Sequence, residues 1–440
     1  MSQDGNTILE TYRMNRKILQ EIRPQEINMV IIGHLHIDHI GLIPTLFSTS
    51  KCQARIIVPE RSTPILKEMW LDAAFINQRD ADFLTLKSGK PVEPLFTETE
   101  VMEALKHVEE YRSNEIIMMD DYLSIRYSPA GHILLSQQCE LFIGYSHIRK
   151  VLFTSDLGNL KIQDSKVFVE NFKPVSTANC VIGETTYSAR ERISSKKDFE
   201  KDIEKIKTVI DQYCVDNRRR VLIPVFSLDR TPYMLWLIYS LFKDDANFQI
   251  PVLIDSPLAI RLLNCYKDIL EGDERESFLD MMNWKNIRLI ITPEDSRAAI
   301  LDNGPKVILS SSGMITAGRS VYWAADILSH SNDCILFCGY SGPDTLAYKI
   351  KNGEEKKTIS INGKPVKNRA NIVDLKSFSS HMQRDDLINY YKGINCEKIY
   401  LVHSDPKTKL DFKEDLETEI SNCLKSTRVI AVNKSTKISL

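Results

Sequence analysis

An apolar run, Ile27-Asn28-Met29-Val30-Ile31-Ile32, ends one residue before His34-Leu35-His36-Ile37-Asp38-His39. The run reads as a buried β-strand. The hexapeptide then places three imidazoles and a carboxylate on the turn that leaves it. A core calls for apolar groups at such a point, and a solvated turn for Gly, Asn, Pro or Ser. Neutral imidazole and carboxylate are what a zinc ion takes as ligands. Because α/β layouts put their sites at strand ends, this feature predicts a sheet that brings further ligands to the same edge.

The same arrangement recurs along the chain. Leu123 to Tyr127 alternates like a strand and leads to Ala130-Gly131-His132, and Val151-Leu152-Phe153 delivers Ser155-Asp156. Val181-Ile182 does the same for Gly183-Glu184, and Ile399-Tyr400-Leu401-Val402 ends at His403. His381 follows Ser379-Ser380, so six of the nine histidines occupy such positions. The other three have bland readings: His107 in a charged helix, His147 in a hairpin and His330 at a helix end. Ligand-type residues recurring in this way predict one shared site at one edge of the sheets.

A region with its own α/β pattern interrupts the series. Phe199, Ile203, Ile206, Ile210 and Tyr213 mark a helix, followed by strand Val221–Val225 and a helix near Tyr233 to Leu241. Strand Val252–Ile254 and a helix from Leu258 come next, and Val307–Leu309 and Ile335–Phe337 are further buried-strand candidates. This is a parallel α/β layout. A polar, Lys-rich stretch from Lys349 to Arg369 closes it. Earlier in the chain, Thr97 to Tyr111 reads as one amphipathic helix, with Thr97 and Glu100 as its capping box.

Composition excludes several classes. Lys plus Arg is 57 and Asp plus Glu 59, a net charge of -2, so no global basic field advertises nucleic acid and any polyanion site must be local. The nine cysteines are odd in number and form no CxxC pair, which fits a reducing compartment rather than a disulfide framework. No apolar stretch reaches membrane-spanning length and the N-terminus has no apolar signal region, so the expected location is cytoplasmic. The length of 440 residues predicts two to three domains.

A catalytic zinc keeps one position open for water, and two such ions can clamp the attacking and leaving oxygens of a phosphodiester. His34, His36, Asp38, His39, His132, Asp156 and one late histidine are the right number of ligands for a binuclear site with one bridging carboxylate. A remaining His–Glu pair would suit protonation of a leaving group.

HLHIDH at 34–39, AGH at 130–132 and SD at 155–156 together resemble the metallo-β-lactamase fold, a four-layer αββα sandwich. The inserted region resembles the β-CASP cassette of that superfamily's nucleic-acid-processing branch. Glu184-Thr185-Thr186-Tyr187, Phe378-Ser379-Ser380-His381 and Leu401-Val402-His403 look like the branch's successive motifs. Pro224 to Arg230, Asp255 to Ala259, Ser311 to Met314 and Gly339 to Gly342 match landmarks within the cassette. The resemblance implies a metallo-β-lactamase fold over 1–187, a β-CASP domain over 188–369 and a return to the first fold over 370–440. It implies a first zinc held by His34, His36 and His132, a second by Asp38, His39 and His403, and Asp156 bridging them. Manganese could substitute for zinc. His381 would be the general acid for the leaving 3′ oxygen, with Glu184 hydrogen-bonded behind it, and Arg230, Ser256 and Ser312 would meet the substrate. His403 is typical of the RNA-cleaving members, which resemble the mRNA 3′-end endonuclease and its prokaryotic relatives. The expected partner is single-stranded RNA, within a homodimer or an RNA-processing complex.

The chain departs from the family pattern at three places. The turn that usually follows two opening strands corresponds to Asp4-Gly5, with only Met1-Ser2-Gln3 before it, so the opening strands are expected to be missing. Leu135 and Ser155 stand where Gly is common, and both are expected to crowd the backbone near the metals. Other readings stay open: a 5′-3′ exoribonuclease, a DNA nuclease, an ester or thioester hydrolase, and a truncated scaffold that binds RNA without cleaving it.

Overall fold

The computed structural model describes residues 8–48, 52–189, 194–353, 358–423, 426–434 and 436–438. The turn expected at Asp4-Gly5 lies outside them. Two compact units form. One contains Glu21–Trp70, Phe96–Ser194 and Ser380–Leu440; the other contains the described residues up to Gln20, Leu71–Leu95 and Ser195–Ser379.

The first unit is built on two sheets. A small parallel sheet has the order Met29–Ile31, Arg55–Pro59, Val108–Tyr111. A larger one runs Arg428–Ala431, Lys398–Val402, Cys180–Glu184, Arg149–Phe153, Gln137–Ile143, Leu123–Pro129, Ile117–Met118. Neighbours are parallel across the first four strands and antiparallel across the rest. Their facing sides share a core of Ile57, Ile125, Tyr127 and Cys139, with Met29, Ile31, Tyr111 and Phe153 packed against it. The buried Tyr127 hydroxyl sits between the carbonyls of Ile32 (2.9 Å) and Ile57 (3.0 Å), which ties one sheet to the other. Helices Arg384–Gly393 and Pro406–Asn422 cover the far face of the larger sheet through Leu387, Tyr391, Phe412 and Leu416. The helix Glu98–Leu105 buries Val101 and Ala104. These are the layers of an αββα sandwich.

The single helix expected over Thr97–Tyr111 is two elements. Its capping box is present at Thr97 and Glu100, but the helix stops at Leu105 and Val108–Tyr111 is a strand paired with Arg55–Pro59. Val108 and Tyr111 fit a helical period and a strand edge equally. The cross-strand grip of Arg55 on Glu109 and Tyr111, at 2.7 and 3.1 Å, belongs to the strand arrangement and is invisible in local sequence.

The second unit carries a six-stranded, wholly parallel sheet in the order Ile287–Leu289, Val252–Asp255, Lys306–Ser310, Arg220–Pro224, Cys334–Phe337, Asn371–Asp374. Its four central strands are buried on both faces, which is why they read as unbroken apolar runs. The last strand lies beyond residue 369, the expected end of the insertion, and takes its place through pairing with Cys334–Phe337. Within the Lys-rich stretch, Thr358–Ile361 and Lys364–Lys367 form a hairpin, turned at Asn362-Gly363, both with positive φ.

Glycine is required where the site loops of the first unit meet. Gly158 donates its N–H to Ala130 O at 2.8 Å, and a Cβ on Gly158 would lie 1.8 Å from Gly131 O. We expect Gly158→Ala to cost at least ~2 kcal/mol through forced backbone displacement, measured by thermal or urea denaturation. An unchanged transition would contradict this packing.

Candidate metal centre

Each predicted ligand leaves the end of an element in the first unit. His34 and His36 follow strand Met29–Ile31, Asp38 and His39 open the short helix Ile37–Ile40, and His132 follows Leu123–Pro129. Asp156 follows Arg149–Phe153 and Glu184 ends Cys180–Glu184, while His403 follows Lys398–Val402 with φ +63°. The shared edge predicted from the sequence is therefore present.

The buried Asp156 carboxylate is the centre of the arrangement. Its Oδ2 lies 3.6 Å from Nε2 of His34 and 3.6 Å from Nε2 of His39, 3.9 Å from Nε2 of His132 and 3.8 Å from Nδ1 of His381. Its Oδ1 lies 3.1 Å from Nδ1 of His403. On one side, Nδ1 of His36 is 3.2 Å from His34 Nε2 and 3.3 Å from His132 Nε2. On the other, Asp38 Oδ2 is 3.4 Å from His403 Nε2 and 3.8 Å from His39 Nε2. Ligand-type atoms of His34, His36, His132 and Asp156 lie within 4.8 Å of one another, as do those of Asp38, His39 and His403.

The donor set fits divalent cations. Nε2 of His39 and Oδ1 of Asp156 are buried and make no hydrogen bond, although they face opposite charge. Such buried polar atoms are costly unless something else satisfies them. Burial, reinforced by neighbouring imidazoles, pushes the pKa of His34 and of His132 well down, so both are neutral and offer lone pairs. Burial opposes the charge on Asp156, but the facing His39 and His403 outweigh it and hold the carboxyl well below its usual range. Asp38 is likewise held well down, against desolvation, chiefly by its hydrogen bond to His403. Burial also opposes charge on His403, but Asp156 and Asp38 push it up to about 11.

Neighbouring groups aim these side chains. Ser155 Oγ lies 2.9 Å from Nδ1 of His34, and Thr186 Oγ1 2.7 Å from Nδ1 of His403. The carbonyl of Ser380 is 3.3 Å from Nδ1 of His132 and accepts the Asn159 amide at 2.9 Å. The Lys166 ammonium donates to the carbonyls of Gly131 (2.8 Å), His132 (2.9 Å) and Ser380 (3.2 Å), and so binds the His132 turn to the segment before His381. None of Ser155, Thr186 and Lys166 was singled out from sequence as an orienting group. Ser155 and Thr186 stand in sequence landmarks, but their partners are remote in the chain and nothing local says what their hydroxyls meet.

His381 sits against this cluster, its ring 4.4 Å from that of His132 and stacked on Tyr187 at 5.9 Å. Between His381 and Glu184, where a hydrogen bond is expected, the separation is 3.9 Å from Nδ1 to Oε1, longer than such a bond. The buried Glu184 carboxylate instead accepts the amides of Leu157 (3.0 Å) and Thr186 (2.7 Å), which fix its position. The expected substrate residues belong to the second unit. Ser256 caps the helix Pro257–Ile269 and lies 3.2 Å from Ser227 Oγ; Ser312 Oγ accepts the Thr316 amide at 3.0 Å; Arg230 begins the helix Arg230–Phe242.

This fold and site define a metal-dependent hydrolase of the metallo-β-lactamase superfamily. Three domain profiles match the chain: the metallo-β-lactamase superfamily over residues 3–113, the Beta-Casp domain over 231–350 and the Zn-dependent metallo-hydrolase RNA specificity domain over 365–425. The chain belongs to the β-CASP family. A ribonuclease of Thermus thermophilus is 26% identical over 393 residues, 88% of this chain and 83% of that protein. Transcription termination factor FttA of Methanocaldococcus jannaschii is 26% identical over 405 residues, 90% of this chain and 61% of that protein. Integrator complex subunit 11 of Danio rerio is 24% identical over 429 residues, 94% of this chain and 66% of that protein. No helix among the described residues is long and apolar enough to cross a membrane.

The folded value for His403 lies above the ~6.5 of a free imidazole. Its ion pair with Asp156 and Asp38 therefore stabilises the chelator-treated protein fully below about pH 6.5 and is lost as pH rises towards about 11. We expect the melting-temperature gap between chelator-treated wild type and His403→Gln to shrink over that range. A constant gap would contradict the pairing.

Proposed function

We propose that this chain is a zinc-dependent ribonuclease that hydrolyses phosphodiester bonds within single-stranded RNA, in RNA processing or decay. The observation that carries the reading is the convergence of two histidine-rich sets on the Asp156 carboxylate, with His381 beside it. The relative named a ribonuclease and the matched RNA specificity domain support RNA as the substrate class. His403, as the resemblance implies, favours RNA over DNA.

In this reading His34, His36 and His132 would hold one cation and Asp38, His39 and His403 a second, with Asp156 available to both. Two divalent ions there would lower the pKa of water and neutralise charge on the phosphate. The chain's own groups do the rest. Asp38 is the half-exposed carboxylate of the set, where it can accept a proton from an incoming water. His381 donates a proton to the leaving 3′ oxygen, with the Glu184 carboxylate behind its ring, 3.9 Å from Nδ1. Arg230, Ser256 and Ser312 are the proposed RNA contacts of the inserted fold. Assembly as a homodimer or within a larger RNA-processing complex belongs to the same proposal; a relative named as a subunit of a complex supports the latter.

The test is cleavage of a 5′-labelled single-stranded RNA beside the same DNA sequence, with zinc or with chelator. Chelator-sensitive internal fragments from RNA alone are expected, and Asp156→Asn should slow their formation about a thousandfold or more while RNA binding persists. Release of mononucleotides would favour a 5′ exonuclease, and no cleavage by folded, zinc-loaded protein would overturn the reading. His381→Ala should slow cleavage by ~10²–10⁴-fold without loss of bound zinc. An equal fall in zinc content would place His381 among the ligands instead.

A further inference from the structure

The residue before Asp156 is Ser155, in a left-handed backbone conformation with φ +52°. A side chain there is costly, and glycine is the ordinary solution. Leu135, the other position where the family pattern favours glycine, is also left-handed, with φ +62°. The two differ in what the side chain does. Ser155 is buried, and its Oγ lies 2.9 Å from Nδ1 of the wholly buried His34.

The space for this contact is made by Gly33. A Cβ on Gly33 would lie 2.5 Å from Ser155 Oγ, 2.6 Å from Ser155 Cβ and 2.9 Å from the Gln137 carbonyl oxygen. The Gly33 carbonyl in turn accepts the Gln137 amide at 2.7 Å, which holds the backbone just before His34 in place. Ser155 is thus enclosed between the His34 turn and the start of strand Gln137–Ile143.

The geometry points to Ser155 as the residue that orients His34 as a ligand, a positioning role in this chain where the family pattern has glycine. The inference rests on the proposed role of His34 in metal binding. The hydroxyl accepts the proton of Nδ1. That selects the tautomer whose Nε2 carries the lone pair, and Nε2 is the atom that faces His36 Nδ1 at 3.2 Å and Asp156 Oδ2 at 3.6 Å. A backbone-neutral glycine would leave the ring free to rotate about its side-chain bonds and to exchange tautomers. His403, in the other ligand set, uses a different partner, the Thr186 hydroxyl, so the effect is confined to the ion that His34 would hold.

The experiment measures zinc affinity by competition with a chromophoric chelator for wild type, Ser155→Gly, Ser155→Ala and His34→Ala. Melting temperatures of the chelator-treated proteins are recorded alongside. Ser155→Gly is the variant least exposed to misfolding, because glycine is at home at this φ. We expect both Ser155 variants to weaken one of two bound zinc ions by about 10–100-fold and to leave the other unchanged. Ser155→Gly should melt above Ser155→Ala, since only alanine keeps the backbone strain. In the Ser155→Gly protein, the ¹⁵N resonances of His34 should also lose the single-tautomer signature expected of wild type. Wild-type affinity for both ions in Ser155→Gly, with one ion lost in His34→Ala, would overturn the positioning role and leave the metal site standing. Wild-type affinity in His34→Ala would overturn the ligand reading itself.

Discussion

A carboxylate removed from water stays ionised only where opposite charge or hydrogen-bond donors surround it. Asp156 is such a group, and the first unit is arranged around it. Five histidines, each from a different position along the chain or a different turn of one hexapeptide, bring a ring nitrogen to within 3.9 Å of its two oxygens. Nothing in local structure would gather these segments. The sheet does so by ending its strands at one edge, and the edge becomes useful because the loops leaving it are short and cross-locked.

That locking is a backbone matter as much as a side-chain one. Gly158 packs on Gly131, His381 forms a single antiparallel bridge with Gly158, and Met382 donates to Leu157 O at 2.7 Å. Lys166 then joins two of the loops through three carbonyls. A ligand set held this way loses little freedom on binding a cation, which is the physical content of a preorganised site. The left-handed residues Leu135, Ser155 and His403 sit within the same loops, in keeping with the tendency of strained backbone to collect at functional sites.

Much of this was legible in the sequence, for a specific reason. Strands buried on both faces read as continuous apolar runs, so Val221 to Pro224 or Val307 to Leu309 could be placed without a partner in view. The residues just past such runs are then exceptional if they are His or Asp, and the ligand cluster follows. Where periodicity was ambiguous, as at Val108–Tyr111, pairing with a distant strand decided the outcome and the sequence could not announce it. The hairpin at Asn362-Gly363 carried a turn signal that the lysine-rich composition around it obscured. The aiming role of these groups is not legible: Ser155 stands out only as a replacement for glycine, and a Thr or a Lys is ordinary in any loop. Only proximity to His34, His403 or the Ser380 carbonyl gives them meaning. Glu184 was found as a site residue, but its amide partners and its 3.9 Å separation from His381 required coordinates.

The central claim is that two cations share Asp156. Anomalous diffraction at the zinc edge, from crystals grown with zinc, tests it most directly. The account predicts two peaks, one among His34, His36 and His132 and one among Asp38, His39 and His403, with Asp156 reaching both. A single peak at saturating zinc, or peaks away from this strand edge, would contradict it.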